Sequence, residues 1–134
     1  MILDSITELK IIDVLDRGIP NKECIAILVE ESPLNMGQYG LTLGVSMLYE
    51  GMATPIRDSF FWFGEGIVKN GDWIFLYTGS GNPSTCHTID GQSSVYTLYW
   101  NRPQTIFHNS NIVPTLFRMD AVQVLPVRTA LSQN

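Results

Sequence analysis

The chain is poor in charge. Asp, Glu, Lys and Arg make up 16% of its 134 residues, against about 25% in an average soluble domain. Hydrophobic residues make up 45%. Intrinsic disorder needs the reverse balance, so that class is excluded. Basic residues are the scarcer sign: eight Lys and Arg stand against thirteen Asp and Glu, for a formal net charge of −5. Lys10, Arg17, Lys22, Arg57, Lys69, Arg102, Arg118 and Arg128 are scattered and form no basic run. Nucleic-acid affinity rests on Lys and Arg neutralising phosphates, and anionic membrane surfaces attract the same residues. Neither is an expected partner.

Cysteine is scarce too. Cys24 and Cys86 are the only two, whereas a small secreted scaffold is dense in disulfides. Two thiols outside a Cys-x-x-Cys pair do not make a four-ligand zinc site. Cys24 lies in the apolar run Cys24-Ile-Ala-Ile-Leu-Val29 and reads as a small buried hydrophobe. Free thiols are expected, with no metal and no cofactor. No apolar run approaches the roughly 18 residues of a membrane span. The segment Met1 to Ser5 has no basic n-region and carries Asp4, unlike a signal peptide. A cytoplasmic location follows as the expectation.

What is present is a succession of short strand signals. Ile6 to Leu15 has a mixed apolar pattern and ends at the turn Asp16 to Pro20. Cys24 to Val29 is apolar, β-branched and too short for a helix, which predicts a buried strand. Gly40 to Tyr49 alternates, placing Leu41, Leu43, Val45 and Met47 on one face. Glu50 to Pro55 reads as a turn, and Phe60 to Phe63 as an aromatic strand. Lys69-Asn-Gly-Asp72 carries a tight-turn signal ahead of the strand Trp73 to Tyr77. Gly79 to Ser94 reads as one long polar loop, followed by the strand Val95 to Trp100. Ile112 to Arg118 and Ala121 to Leu125 read as a final hairpin turning near Met119-Asp120, and residues 128–134 as a frayed tail. Seven to nine strands at this spacing, with no helix longer than two turns, predict one all-β domain over residues 1–134, a sandwich or barrel.

Three blocks, spanning about residues 6–125, resemble the lamin-tail domain. The first is Cys24 to Glu30 followed by Leu34 to Leu43. The second is Ile67 to Gly81, similar to the family's hairpin leading into a strand that ends in a Gly-Ser-Gly loop. The third is Leu98-Tyr-Trp-Asn101, then Phe107-His-Asn109, then Thr115 to Asp120. The resemblance implies an immunoglobulin-like β-sandwich and a noncatalytic module. His108 stands where bacterial members often have Asn.

Chemistry-bearing residues are few. Cys86-His87 with Asp90 has the residue types of a nucleophilic triad, but neighbours on an extended segment point to opposite sides. No strand-turn-helix elbow presents the thiol. His87 and His108, the only histidines, lack ligand spacing with Asp90 or Asp120. Glu30-Glu31 read as a solvated strand end, and with Glu65 do not define a glycosidase pair. Gly79-Ser-Gly81 lacks the Lys and following helix of a phosphate loop, which leaves a β-turn or a backbone anion nest.

Aromatics are the strongest functional lead. Trp62, Trp73 and Trp100 join six Phe and five Tyr. Tyr99 and Trp100 must face opposite ways on one strand, so one of the two faces needs cover. Aromatics with little charge characterise interface cores, and a homodimer is the simplest assembly. The expected function is a noncatalytic, protein-binding or self-associating module, not an enzyme. Its expected contact residues are Tyr99, Trp100, Arg102 and His108. The alternative is a receptor for a small anionic ligand or nucleotide, with Gly79, Ser80 and Gly81 binding the anion, Trp100 stacking a base and Arg102 adding charge.

Overall fold

The computed structural model describes residues 5–46, 53–56 and 59–127. The described residues form an all-β, sandwich-like fold. Its strands are β1 (Leu9–Leu15), β2 (Cys24–Val29), β3 (Leu34–Asn35), β4 (Tyr39–Ser46), β5 (Ala53–Pro55), β6 (Phe61–Trp62), β7 (Ile67–Val68), β8 (Trp73–Tyr77), β9 (Ser84–His87), β10 (Ser94–Tyr99) and β11 (Ile112–Arg118). A single 3-10 turn, Met36–Gln38, is the helical element among the described residues. One sheet has the order β1-β2-β8-β10-β9. A second has the order β11-β4-β5, with β6 also paired to β4, and β3 and β7 form a short ribbon. Every pairing is antiparallel except β8 with β10.

Side-chain parity explains the core. On β2, Ile25, Ile27 and Val29 point inward, and on β8 Ile74 and Leu76 do the same. They join Tyr39, Leu41 and Leu43 of β4 and Phe107 in one buried cluster, so the two larger sheets share a core. The mixed pattern of Ile6 to Leu15 also has a cause. β1 carries a bulge between Ile11 and Asp13. Leu9 pairs with Val29 before it and Val14 with Ile25 after it, so both meet inward partners despite their opposite sequence parity.

Glu8 fastens one sheet to the other. It precedes β1 and is almost completely buried. Its Oε2 accepts from the Tyr39 hydroxyl of β4 and, at 2.7 Å, from Arg118 Nη1 of β11. Its Oε1 accepts from the Thr7 amide at 3.1 Å. Burial opposes the charge, but these bonds outweigh it and bring the carboxyl down to about 2. Burial and the adjacent carboxylate push the Tyr39 phenol up to about 12.

Several expectations are corrected. Ala121 to Leu125 forms no strand and no hairpin with β11. The Met119 amide donates to Gln38 O at 2.7 Å, which carries the β11–β4 ladder one step onward where a turn was expected. Val122 and Leu125 are then exposed. The Asn-Gly turn forms, with Gly71 at φ 93° and Asp72 N donating to Lys69 O at 3.0 Å. It closes no hairpin, because β7 pairs with β3 and the turn is tied to β2 through Gly71 N to Val29 O, 2.8 Å. The Gly79 to Ser94 stretch contains β9, and Ala53–Pro55 is a strand. Val45 is exposed although Leu41 and Leu43 are buried. Met47 and residues 128–134 lie outside the described residues.

The Glu8 clamp predicts acid sensitivity. Its folded-state pKa lies below the unfolded value, so the stability it contributes is complete above pH about 4.5 and is lost as pH falls toward about 2. Acid denaturation should show this loss, and Glu8→Gln should flatten the stability profile in that window. Tyr39→Phe should lower stability by about 1–2 kcal/mol in urea titrations.

Candidate functional site

A second buried carboxylate organises a concavity at one end of the five-stranded sheet. Glu23 is 1% exposed. Its Oε1 accepts from Thr78 Oγ1 at 2.8 Å and the Ile106 amide at 2.7 Å, and its Oε2 from the Gly18 amide at 2.7 Å and the Phe107 amide at 2.9 Å. Burial works against the charge, but four donors hold the carboxyl below the ordinary carboxylate range. Three segments are thereby gathered at one end of the five-stranded sheet: the turn after β1, the exit of β8 and the loop after β10. Asp16 and Asn21 take left-handed backbone conformations in the first of these, and Asn101 in the last. Asn and Asp tolerate that region better than other residues with side chains. Asn101 N donates to Gly79 O at 2.9 Å, and Arg102 N to Thr78 O at 2.8 Å, which lays the loop against the end of β8.

Between these segments lies a cleft of about 400 Å³. Its polar lining includes Asn21, Thr78, Arg102, Gln104, Thr105 and His108, and Gly79 forms part of the wall. Among the described residues, no Asp or Glu lines it. Arg102 Cζ sits over the Trp100 ring, 5.6 Å from its centroid.

Three of the seven expected site residues, Gly79 from the ligand-receptor alternative, His108 from the protein-contact reading and Arg102 from both, line this one cleft. The other four do not line it. Trp100 turns to the inner side, 5.6 Å from Phe61 between ring centroids and packed against the core. The expected base-stacking position is thus occupied by core packing and by Arg102. Tyr99 faces the outer side and stacks on Tyr77 at 5.5 Å. Gly81 passes so close to Tyr99 that a Cβ there would lie 2.5 Å from the ring, which explains the glycine by packing. Ser80 is exposed beside it.

The outer face of the same sheet is the second candidate. Strand register aligns it in three rungs. Leu15, Cys24, Tyr77 and Tyr99 form one; Asp13, Ala26, Phe75, Thr97 and Ser84 the next; Lys10, Leu28, Trp73, Val95 and Cys86 the third. Trp73 and Phe75 stack with centroids 5.7 Å apart and ring planes 4° apart. All four aromatic residues are half-buried. Cys24 is buried beneath them, and burial, with the Asp16 charge second, pushes its thiol up to about 12. That thiol is not a nucleophile at neutral pH.

The remaining chemical candidates do not converge. Cys86 pairs with Val95 on the outer face and His87 with Ser94 on the other, while Asp90 accepts from Thr88 Oγ1 and from the Gln92 amide within its own turn. Among the described residues, no group of three His, Cys, Asp or Glu side chains is placed to hold a metal ion. No described helix is long and apolar enough to cross a membrane. The sequence reading missed Glu23, Asn21, Gln104 and Thr105, and did not connect Trp73, Phe75 and Tyr77. A signal for Glu23 exists: it is in phase with Ile25, Ile27 and Val29, so extending the strand by one inward position buries it.

Compared with protein-family models, curated proteins and solved structures, the chain matches none.

Replacing Glu23 by Gln should cost about 2–4 kcal/mol, because an amide N–H₂ then faces backbone donors that lose a charged acceptor. Urea denaturation with an unchanged m-value checks this. Amide exchange should rise first at Gly18, Ile106 and Phe107.

Proposed function

We propose that this protein is a noncatalytic, lamin-tail-like binding module that self-associates through the outer face of its five-stranded sheet. The observation that carries the reading is the alignment of Trp73, Phe75, Tyr77 and Tyr99 on one outer face. The three rungs hold one Lys and one Asp, so the face is neutral in a chain of formal net charge −5. Two acidic molecules repel least across such a surface, and stacked aromatics supply contact area at low entropic cost.

The charge arrangement favours a second copy as the occupant. Lys10 and Asp13 both lie on β1 at the edge of this face. A two-fold axis across the strands at the Phe75 rung lays the Trp73 rung of each copy over the Tyr77 rung of the other. It also sets Lys10 of each copy one rung from Asp13 of the other. That is the self-complementary pattern an isologous interface requires. Tyr99 belongs to this surface and Trp100 does not, so Trp100→Ala reports on the core.

Light scattering after size exclusion, across a concentration range, should show a dimer. Phe75→Glu should make it monomeric. Lys10→Asp, at an exposed site, should weaken association at least threefold, and adding Asp13→Lys should restore it. A monomer at millimolar concentration, or a dimer indifferent to both charge changes, would refute the reading.

A further inference from the structure

We propose that an apolar recess on the inner side of the five-stranded sheet, with Glu65 at its rim, binds a small primary amine carried on an apolar body. The inference does not depend on self-association, because the recess shares no residue with the three outer rungs.

The inner face of this sheet is unevenly covered. Ile74 and Leu76 of β8 pair with Tyr96 and Leu98 of β10, so all four share that face. Ile74 and Leu76 are buried, whereas Tyr96 and Leu98 are half-buried. Met36, Phe63 and the segment Gly64 to Val68 close over Ile74, Tyr96 and Leu98 and leave about 200 Å³ between them. Apolar space of that order holds a small molecule: a cavity of about 150 Å³ lined by Leu, Ile and Phe binds benzene. The walls are fixed without a ligand. Met36 N donates to Gly66 O at 2.8 Å, Asn35 Oδ1 accepts from Gly66 N at 3.3 Å, and Phe63 meets Phe61 edge-on with centroids 5.3 Å apart. Such preorganisation spares binding the cost of ordering the site.

Two polar side chains in the lining set the ligand's charge. Among the described residues, the Glu65 carboxylate and the Tyr96 hydroxyl enter no hydrogen bond and no ion pair. Glu65 is exposed and Tyr96 half-buried, and both line the recess. A carboxylate beside apolar walls selects a cation, because an anion would meet like charge as it leaves water. An ammonium group has three donors to share between a carboxylate and a phenolic oxygen. The rings of Phe63 and Tyr96 act in the same direction, since a cation is drawn to an aromatic face. The volume restricts the apolar body to about one ring or a short branched chain.

Isothermal titration of the whole chain with phenethylamine, phenylethanol, phenylacetate and ethylamine tests the assignment, with methyl NMR to place the ligand. Phenethylamine is expected to bind best, with phenylethanol at least threefold weaker and phenylacetate and ethylamine at least tenfold weaker. Methyl signals of Val68, Ile74 and Leu98 should shift. Glu65→Gln, at an exposed site, should bring phenethylamine down to the level of phenylethanol. It should leave the alcohol's affinity and the melting temperature unchanged. Phe75→Glu should alter none of these, so failure of self-association and failure of this site are read separately. Equal or tighter binding of phenylethanol, phenylacetate or ethylamine, undiminished phenethylamine binding by the Glu65→Gln variant, shifts confined to other methyl groups, or no binding at millimolar concentration would each overturn the proposal.

Discussion

Much of the molecule hangs on one desolvated carboxylate. Glu23 accepts from Gly18, Thr78, Ile106 and Phe107, which lie on three segments far apart in sequence. An uncompensated buried charge costs several kcal/mol. The four donors must therefore be present together, and the loops that carry them have little freedom to move apart. Phe107, fully buried, is positioned by the same bond that satisfies its amide. Core packing at this end and the walls of the cleft are thus two consequences of one constraint. Arg17 adds to it from outside, lying over the Phe107 ring at 5.6 Å from the centroid.

Glu23 is not alone. Asp72, also buried, accepts from the Lys69 amide at 2.9 Å and the Ser94 amide at 2.9 Å, at the opposite end of β8. Both residues sit one step before a strand and in its inward phase: Glu23 ahead of Ile25 and Ile27, Asp72 ahead of Ile74 and Leu76. Strand geometry carries such a residue toward the core, where donors from adjoining segments solvate it: backbone amides at both sites, joined by the Thr78 hydroxyl at Glu23. Acidic residues at these positions act as internal fasteners, and a low-charge sequence uses part of its small complement of charge in this way.

Legibility in the sequence followed the range of the interactions. Short apolar runs rich in β-branched or aromatic residues placed Cys24–Val29, Trp73–Tyr77 and the β10 strand closely, because such runs are too short for a helix and suit a strand. It failed where pairing partners decide the outcome. The Asn-Gly turn has the chemistry of a hairpin, yet β2 captures it through the Gly71 amide. Ala121 to Leu125 has strand-forming residues, but the ladder past Arg118 continues along Gln38 and leaves them exposed. The opposed orientations of Tyr99 and Trp100 were readable from parity. Which of them met the core was not, because that depends on Phe61 arriving from β6. In the site, Arg102, His108 and Gly79 were legible as neighbours of a strand end, whereas Asn21 reaches the cleft only through the Glu23 fastening.

The distribution of scarce charge connects the sheet face with the cleft. Glu8, Glu23 and Asp72 are turned inward. The outer rungs retain one Lys and one Asp, and Arg102 and His108 line the cleft. A neutral aromatic face weakens repulsion between copies of an acidic chain. The parallel pairing of β8 and β10 links the two geometrically. Because Tyr77 pairs with Tyr99, the chain beyond each strand emerges at the same end of the sheet, and Thr78–Gly79 and Asn101–Arg102 are laid side by side. An antiparallel pair would send its exits to opposite ends. The single parallel pairing thus stacks two tyrosines on the outer face and, three residues past Tyr99, brings Arg102 to the lining of the cleft.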